Sequence, residues 1–178
     1  MNRKLIVLAA AVASAATAIV LSVVPASGEV AHHAAAPTVK ASGPVLGSTH
    51  FLTVAAARKI AETAMANCQS RGFPVAVTIL DRDGIVIVTE RADNATGATV
   101  NVSEEKAYAA VGFQSPTSAL QQAATTQPGF VAIQGFNILP GGLPISINGS
   151  VVAGIGVSGS PSGDTDAACA TVGIQSVS

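Results

Sequence analysis

The sequence predicts an α+β fold in which helices pack on an antiparallel sheet. Segments with a helical period of apolar residues lie near both ends of the folded part and in its middle, and β-branched runs lie between them. These runs are joined in pairs by short turns rich in Asp, Asn and Gly. Strands joined by such turns run antiparallel, whereas parallel strands need long crossovers. The order helix, hairpin, helices, strands, helix therefore argues against alternating βαβ units.

The composition predicts one compact domain with a core of small side chains. The 178 residues are 49% hydrophobic and 11% charged, and their mean hydropathy is +0.51. A disordered chain would have low hydrophobicity and high charge. Ala and Val dominate and aromatic residues make up only 3%, so helices and strands can approach closely. Because few charges leave much of the surface apolar, we expect a homo-oligomer.

The first 50 residues are predicted to be an export signal followed by a flexible tail. A basic start, an uncharged apolar run over residues 5–24 and the small residues Val24-Pro25-Ala26 have the layout of a signal peptide covering residues 1–26. The alternative is an uncleaved anchor, because the run is about long enough to cross a bilayer. Residues 27–50 form the predicted tail, and residues 51–178 the folded domain. We expect a secreted protein, or one in the periplasm or cell wall.

The charge argues against nucleic acid as a partner. The net charge of −1 becomes −3 once Arg3 and Lys4 leave with the signal peptide. Binding to phosphates needs a clustered positive surface, and the sequence contains no run of Lys or Arg.

Local signals predict the first helix and the first hairpin. Thr53 is suited to cap a helix whose apolar positions recur through Cys68, and Gly72 supplies a stop. Residues 74–80 and 85–89 are β-branched runs. They are separated by Asp81-Arg82-Asp83-Gly84, where Asp and Gly tolerate the positive φ angles of a tight turn.

Two helices are predicted in the middle of the chain. Asn101 and Glu104 have the spacing of a capping box, and the helix that they open runs through Phe113. Ser115 and Pro116 open a shorter helix that reaches about residue 124. The polar connection over residues 125–134 is predicted to be irregular.

The last part of the chain predicts strands and a final helix. Residues 136–139 form a short predicted strand, and residues 143–147 and 151–157 form better ones. Asn148-Gly149 between the latter two is a strong hairpin signal. Asp164 is expected to cap a helix over residues 165–175.

One glycine motif is rejected as a nucleotide site. Residues 154–159 match the GxGxxG pattern, but that fingerprint needs a turn that opens a helix inside a βαβ unit. Here Gly154 and Gly156 lie within a strand of a predicted hairpin. We interpret them as room for another backbone, a helix or a ligand face against the sheet.

The two cysteines leave two alternatives open. Cys68 lies late in the first predicted helix and Cys169 in the last one. An oxidising compartment makes a disulfide plausible if these helices pack side by side, and two buried thiols are the alternative. Without a CxxC spacing, neither a zinc site nor a thioredoxin-type redox pair is predicted.

Several segments together resemble the GlcG/HbpS family. The resemblance covers nearly everything from Leu52 onward, and its strength lies in the number and order of the segments. They are an Ala-rich opening helix, residues 75–81 with Gly84, Glu90-Arg91-Ala92-Asp93, Glu105-Lys106-Ala107-Tyr108-Ala109-Ala110, Gly141-Gly142-Leu143-Pro144-Ile145, and residues 152–159 followed by Asp164 and Asp166. The family often has Met where this chain has Ala92.

The resemblance implies a fold and a function. The fold is a profilin-like α+β domain that assembles into homo-oligomers. Some members bind haem, and secreted members work beside a membrane sensor kinase as haem or redox sensors. We therefore expect a haem-binding protein that sequesters or senses haem, and we expect no catalytic residues. The alternatives are a small-molecule enzyme of the GlcG type and a purely structural oligomer.

Three side chains are candidate haem contacts. Haem needs an apolar slot and a side chain that donates N, O or S to its iron. His50, just before the first helix, and Tyr108, which would bind as a phenolate, are candidate ligands. Thr117 is a candidate for a weak oxygen contact, although it also suits a helix start.

A charged cluster at the first hairpin is the candidate site for the enzyme alternative. Arg91 and Asp93 would lie in a small-molecule site, or they would form a structural or intersubunit ion pair. No Ser/His/Asp triad and no metal site is predicted.

Overall fold

The computed structural model describes residue 43 and residues 48–178 of the chain. The predicted signal peptide and most of the predicted tail lie outside the described residues. The described residues 48–178 belong to one compact unit. Within the described part, no helix is both long enough and apolar enough to span a membrane.

The order of elements matches the predicted α+β arrangement. The helices are α1 (Val54–Gln69), α2 (Gly97–Gly112), α3 (Thr117–Ala124) and α4 (Gly163–Gln175), and a short 3₁₀ helix covers Pro128–Ala132. The strands are β1 (Ala76–Asp81), β2 (Val86–Arg91), β3 (Gly142–Ile147) and β4 (Ser150–Ser158). They form one antiparallel sheet in the order β2-β1-β4-β3.

Helices cover both faces of the central strands. Alternate residues of β4, such as Ile155 and Val157, join the core with α1 and α4, while Gly154 and Gly156 face α2. A Cβ at Gly156 would collide with the backbone of Ser103, so only glycine lets α2 lie this close to the sheet. Of the three alternatives for these glycines, another backbone, a helix or a ligand face, the structure shows a helix.

The two tight turns have the predicted chemistry. At the first, Asp81 Oδ1 accepts hydrogen bonds from the backbone N–H groups of Asp83 at 2.9 Å and Ile85 at 2.8 Å. Gly84 has a φ of +84° there. At the second, Asn148 and Gly149 have φ angles of +51° and +79°, as a type I′ hairpin requires.

Several predicted boundaries were wrong. Helix α2 begins at Gly97, so Asn101 and Glu104 lie inside it and do not cap it. The cap of α4 is Ser162, whose Oγ accepts a hydrogen bond from the Thr165 N–H at 3.2 Å. Asp164 lies within its first turn, where a carboxylate favours the helix dipole. Residues 136–139 are not a strand, because they have no partner in the sheet.

A disulfide joins the two helices on one face of the sheet. Cys68 of α1 and Cys169 of α4 are fully buried and bonded to each other. The two helices lie so close at Gly173 that a Cβ there would collide with the backbone of Ile60 and the side chain of Ala64. The absence of a side chain at Gly173 therefore permits this close approach. Of the two alternatives, the structure has the disulfide.

Candidate functional site

An open cleft of about 480 Å³ lies between the β1–β2 turn and the outer flank of α2. Its volume is within the range of small-molecule sites, about 300 to 1,000 Å³. We call it the Tyr108 cleft, and it is lined by Leu80, Asp83, Gly84, Ile85, Asn101, Glu104, Glu105, Tyr108 and Gly135. Of the sequence-predicted haem contacts, only Tyr108 is among these residues.

Tyr108 forms an aromatic wall of the cleft. The neighbouring Ala107 and Ala109 are buried, whereas Tyr108 is 40% exposed. Its ring lies so close to Gly84 that any Cβ there would collide with it. The turn thus needs glycine at residue 84 both for its positive φ and to make room for the ring.

The Tyr108 ring begins a row of four aromatic side chains. Its centroid lies 5.1 Å from that of Phe136 in an edge-to-face arrangement. Phe113 contacts both Phe136 and Phe130 in the same manner, at 5.3 and 5.1 Å. This geometry favours aromatic pairs. The row fastens the segment that follows α3 onto α2, and of its four rings only Tyr108 lines the cleft.

The charged side chains that line the Tyr108 cleft are all acidic. Asp83, Glu104 and Glu105 line it, and no Lys, Arg or His does. Within residues 48–178 these carboxylates form no ion pair. The same part of the chain contains no group of three His, Cys, Asp or Glu side chains arranged for a metal ion.

His50 lies outside the lining but in a segment that reaches the same turn. It is exposed, four residues before α1. The adjacent Thr49 accepts a hydrogen bond through Oγ1 from Arg82 Nη1 at 2.7 Å. This contact holds the segment that carries His50 against the β1–β2 turn.

Thr117 is a structural residue in this fold. Its side chain is fully buried at the start of α3. Its Oγ1 accepts from the Gly142 N–H at 3.0 Å and donates to the Gly142 carbonyl at 3.3 Å. These two hydrogen bonds link α3 to the sheet edge, and a contact with haem would require the hydroxyl to leave β3.

Arg91 and Asp93 do not pair within the described chain. Both are exposed, and Arg91 donates to the backbone carbonyl of Ala95. Asp93 borders a different, shallower groove of about 390 Å³ beside Phe73 and Asn94. The structure therefore does not bring the two together as an acid/base site or as an ion pair of one subunit, and an intersubunit pair stays a prediction.

Glu90 of β2 has a perturbed acidity. Burial against α1 raises the pKa of this carboxyl, and the nearby Glu62 carboxylate raises it further, while Arg58 acts in the opposite direction. Glu90 lies outside the Tyr108 cleft lining.

Sequence reasoning missed a buried ion pair. Lys106 Nζ lies 2.9 Å from Asp166 Oδ2, and both side chains are only 4% exposed. Lys106 also donates to the Val157 carbonyl at 3.0 Å, and Asp166 Oδ1 accepts from the Ser160 N–H at 3.1 Å. In the sequence, Lys106 has helical spacing with the apolar residues Val102, Ala109, Ala110 and Phe113. A lysine there was the available signal, because a buried ammonium needs a partner.

Comparisons with known proteins agree on the family. The model of the family described as haem degrading protein HbpS-like matches residues 52–175. A double mutant of HbpS from Streptomyces reticuli has a similar structure, with a TM-score of 0.76 and 37% identity; the match covers 82% of this chain and 99% of that one. An uncharacterised 15.0 kDa protein of Citrobacter freundii is 31% identical over 113 residues, which are 61% of this chain and 80% of that protein.

A more distant structure has the same fold. The PduOC protein, solved as a haem complex, is 23% identical with a TM-score of 0.66, and the match covers 71% of this chain and 95% of that one. The α+β fold with its antiparallel sheet is therefore confirmed, and so is the resemblance stated from the sequence motifs. The family model covers more than half of the chain, and the chain belongs to the HbpS-like family.

Proposed function

We propose that the chain is an exported haem-binding protein that holds haem in the Tyr108 cleft. The observation that carries the proposal is the exposed Tyr108 ring on the wall of an open cleft in a chain of the HbpS-like family. Its role is to sequester haem or to sense it as a homo-oligomer, with a membrane sensor kinase as the partner that receives the signal.

The chemistry of the cleft supports haem as the ligand. A haem site needs apolar surface for the macrocycle, and the exposed Ile85 and the Tyr108 ring supply it. A tyrosine phenolate is an established class of axial ligand for haem iron. Tyr108 combines an accessible ring with a position in the cleft, whereas Thr117 is buried elsewhere. Haem in the PduOC complex, on the same fold, is a further argument.

A hemin titration tests the proposal. We expect the purified chain to give a saturable Soret shift at micromolar hemin. Tyr108→Phe should change the position of the Soret band and weaken binding at least about tenfold, because it removes the oxygen ligand and keeps the ring. His50→Ala should have a smaller effect, since His50 does not line the cleft.

The Tyr108→Phe variant also controls for packing, because it removes only the hydroxyl group. The phenyl ring retains the contacts with Gly84 and Phe136, so the thermal unfolding midpoint should change little. Absence of saturable binding in the wild-type chain would refute the proposal. If Tyr108→Phe binds hemin saturably with an unchanged spectrum, another side chain is the iron ligand.

Haem degradation is a second candidate, which the description of the family favours. Binding and degradation differ in the fate of the absorbance. In the presence of oxygen and a reductant such as ascorbate, a protein that only binds haem keeps its Soret band beyond the decay seen for free haem. A protein that degrades haem loses the band faster and releases iron.

Export is part of the proposal and rests on residues 1–26. We expect a producing cell to release a mature form that begins at Ser27, because the small residues before it suit signal peptidase. Intact mass and N-terminal sequencing of the protein outside the cytoplasm measure this. A membrane fraction that retains the chain with residues 1–26 attached would show an anchor instead.

A further inference from the structure

We infer that the open edge of β2 pairs antiparallel with β2 of a second copy of this chain, so that two four-stranded sheets join into one. The inference rests on the homo-oligomer of the proposed function and names its interface, but it does not depend on haem. The observation behind it is the direction of the backbone groups at the two edges of the sheet.

Strand β2 is bonded on one side and open on the other. Within residues 48–178, β1 is the only strand that pairs with β2. The Ala92 N–H donates to the Val75 carbonyl at 2.9 Å, in the register of the β1–β2 ladder. Since bonded residues alternate along an antiparallel strand, the backbone N–H and C=O groups of Thr89 and Arg91 point away from β1. These groups are available to another strand.

The opposite edge of the sheet, at β3, is closed by the chain's own residues. The Val157 N–H donates to the Gly141 carbonyl across the β3–β4 ladder, so the same alternation makes the next residue and Pro144 point outward. Both backbone groups of that next residue, Gly142, are bonded to Thr117 Oγ1, at 3.0 and 3.3 Å. Pro144 has no N–H to donate. Protection of this kind prevents pairing at an edge, and β2 has neither device.

The composition of β2 favours a strand as its partner. The strand reads VIVTER, and four of its six residues are β-branched. Proline and lysine, which commonly prevent edge-to-edge pairing, are absent from it. The edge is therefore both open and suited to extend the sheet.

The charge pattern of β2 fits a second copy of the same strand. Two identical strands that pair antiparallel are related by a twofold axis. The charges of β2, Glu90 and Arg91, lie at one end, and an antiparallel copy puts that end opposite the apolar start of its partner. The centre, where each residue faces its own copy, is then formed by the uncharged Val88 and Thr89. No like charges face each other, which cross-strand pairing requires.

Apolar surface beside the edge favours a folded copy over a bare peptide. Helix α1 packs on β2 and β1, whereas α4 packs on β4 and β3, so α1 is the helix nearer to the open edge. Phe51 and Val54 at the start of α1 are 74% and 55% exposed, and Val86 of β2 is 45% exposed. A second copy brings its own α1 to the interface and can cover such side chains, whereas an isolated strand covers only the edge.

Thr89→Pro and Thr89→Ala are the matched variants that test the inference. Both remove the hydroxyl that lies 3.2 Å from Thr78 Oγ1, but only proline removes the outward N–H, and β1 does not use that group. Thr89→Pro should weaken self-association at least about tenfold in sedimentation equilibrium, because twofold symmetry removes two hydrogen bonds at once. Thr89→Ala should stay within about threefold of the wild-type chain.

Amide hydrogen exchange tests the same edge without a substitution, and it decides the matter if Thr89→Pro does not fold. In the associated wild-type chain, the N–H groups of Thr89 and Arg91 should exchange as slowly as those of Val88 and Glu90, which bond to β1. Rapid exchange at Thr89 and Arg91 would overturn the inference. Slow exchange there in a monomeric chain would also overturn it, and would identify an extended segment of the same chain as the occupant.

The possible failures are distinguishable. Unchanged self-association in a folded Thr89→Pro variant would overturn the inference and give the homo-oligomer another interface. A monomeric wild-type chain would overturn the homo-oligomer as well. Haem binding is measured separately, because Thr89 does not line the Tyr108 cleft and Thr89→Pro should still be saturated by hemin. A chain that associates through β2 but does not bind hemin would refute the haem proposal alone.

Discussion

Loss of the Cys68–Cys169 disulfide is expected to lower the free energy of unfolding by about 4 kcal/mol. The bond connects residues separated by 101 positions, so it removes a large loop-closure entropy from the unfolded chain. It also joins α1 to α4, the two helices on one face of the sheet. Urea unfolding followed by far-UV circular dichroism measures the change, because the chain contains no Trp to report by fluorescence.

A double-mutant cycle isolates the bond from the packing of the sulfur atoms. Cys68→Ala and Cys169→Ala each remove the cross-link completely, so the double variant should be only slightly less stable than either single one. The coupling energy should then approach the whole effect. Reduced wild-type chain is the matched control, since it loses the bond and keeps both sulfurs. Equal urea midpoints for the oxidised and the reduced chain would contradict the prediction.

Asp166→Asn is expected to cost about 3 to 5 kcal/mol of stability. The substitution leaves the Lys106 ammonium in a site that is 4% exposed, without a counter-charge. The amide keeps an oxygen to accept from the Ser160 N–H, so the main loss is electrostatic. Asp164→Asn, an exposed carboxylate in the same first turn of α4, is the matched control and should cost no more than about 1 kcal/mol. Thermal and urea unfolding measure both variants.

Removal of the orphaned charge should rescue part of the loss. Lys106→Met in the Asp166→Asn background eliminates the buried ammonium, so the double variant should be more stable than the sum of the two single effects predicts. Strictly additive losses would show that the two side chains do not interact. The pair connects α2 with the end of β4 and the start of α4, so its loss should also loosen the segment around Gly141.

Turns, helix periodicity and the α+β class were predictable from the sequence. The Asp81 and Asn148-Gly149 turns depend on side-chain and φ requirements within a few residues, and both have the expected geometry. Helix starts were less predictable, since Ser162 and Asp164 are both good caps two positions apart. Local chemistry alone does not choose between such neighbours. The prediction of a strand over residues 136–139 was wrong for a different reason. A strand needs a partner strand, and no local pattern can supply one.

The candidate site was only partly predictable. Tyr108 was identified from its residue type and its family motif, and the structure adds that its ring packs over Gly84 at the wall of a cleft. Thr117 was a reasonable candidate by type, yet its burial and its two hydrogen bonds to Gly142 depend on how α3 meets the sheet edge. Arg91 and Asp93 were candidates for a small-molecule site or for a structural or intersubunit ion pair. Within the described chain Arg91 bonds to the Ala95 carbonyl and not to Asp93.

The sequence by itself determined the kinds of elements, their order, the tight turns and the glycines that admit a helix against the sheet. These features depend on residues that are close along the chain, so their physics is local. Only the tertiary structure decided that Lys106 meets Asp166 across 60 residues, that Cys68 bonds to Cys169, and that three carboxylates line the same cleft as Tyr108. Such contacts depend on which faces of distant elements meet when the core is buried, and no periodicity along the chain contains that information.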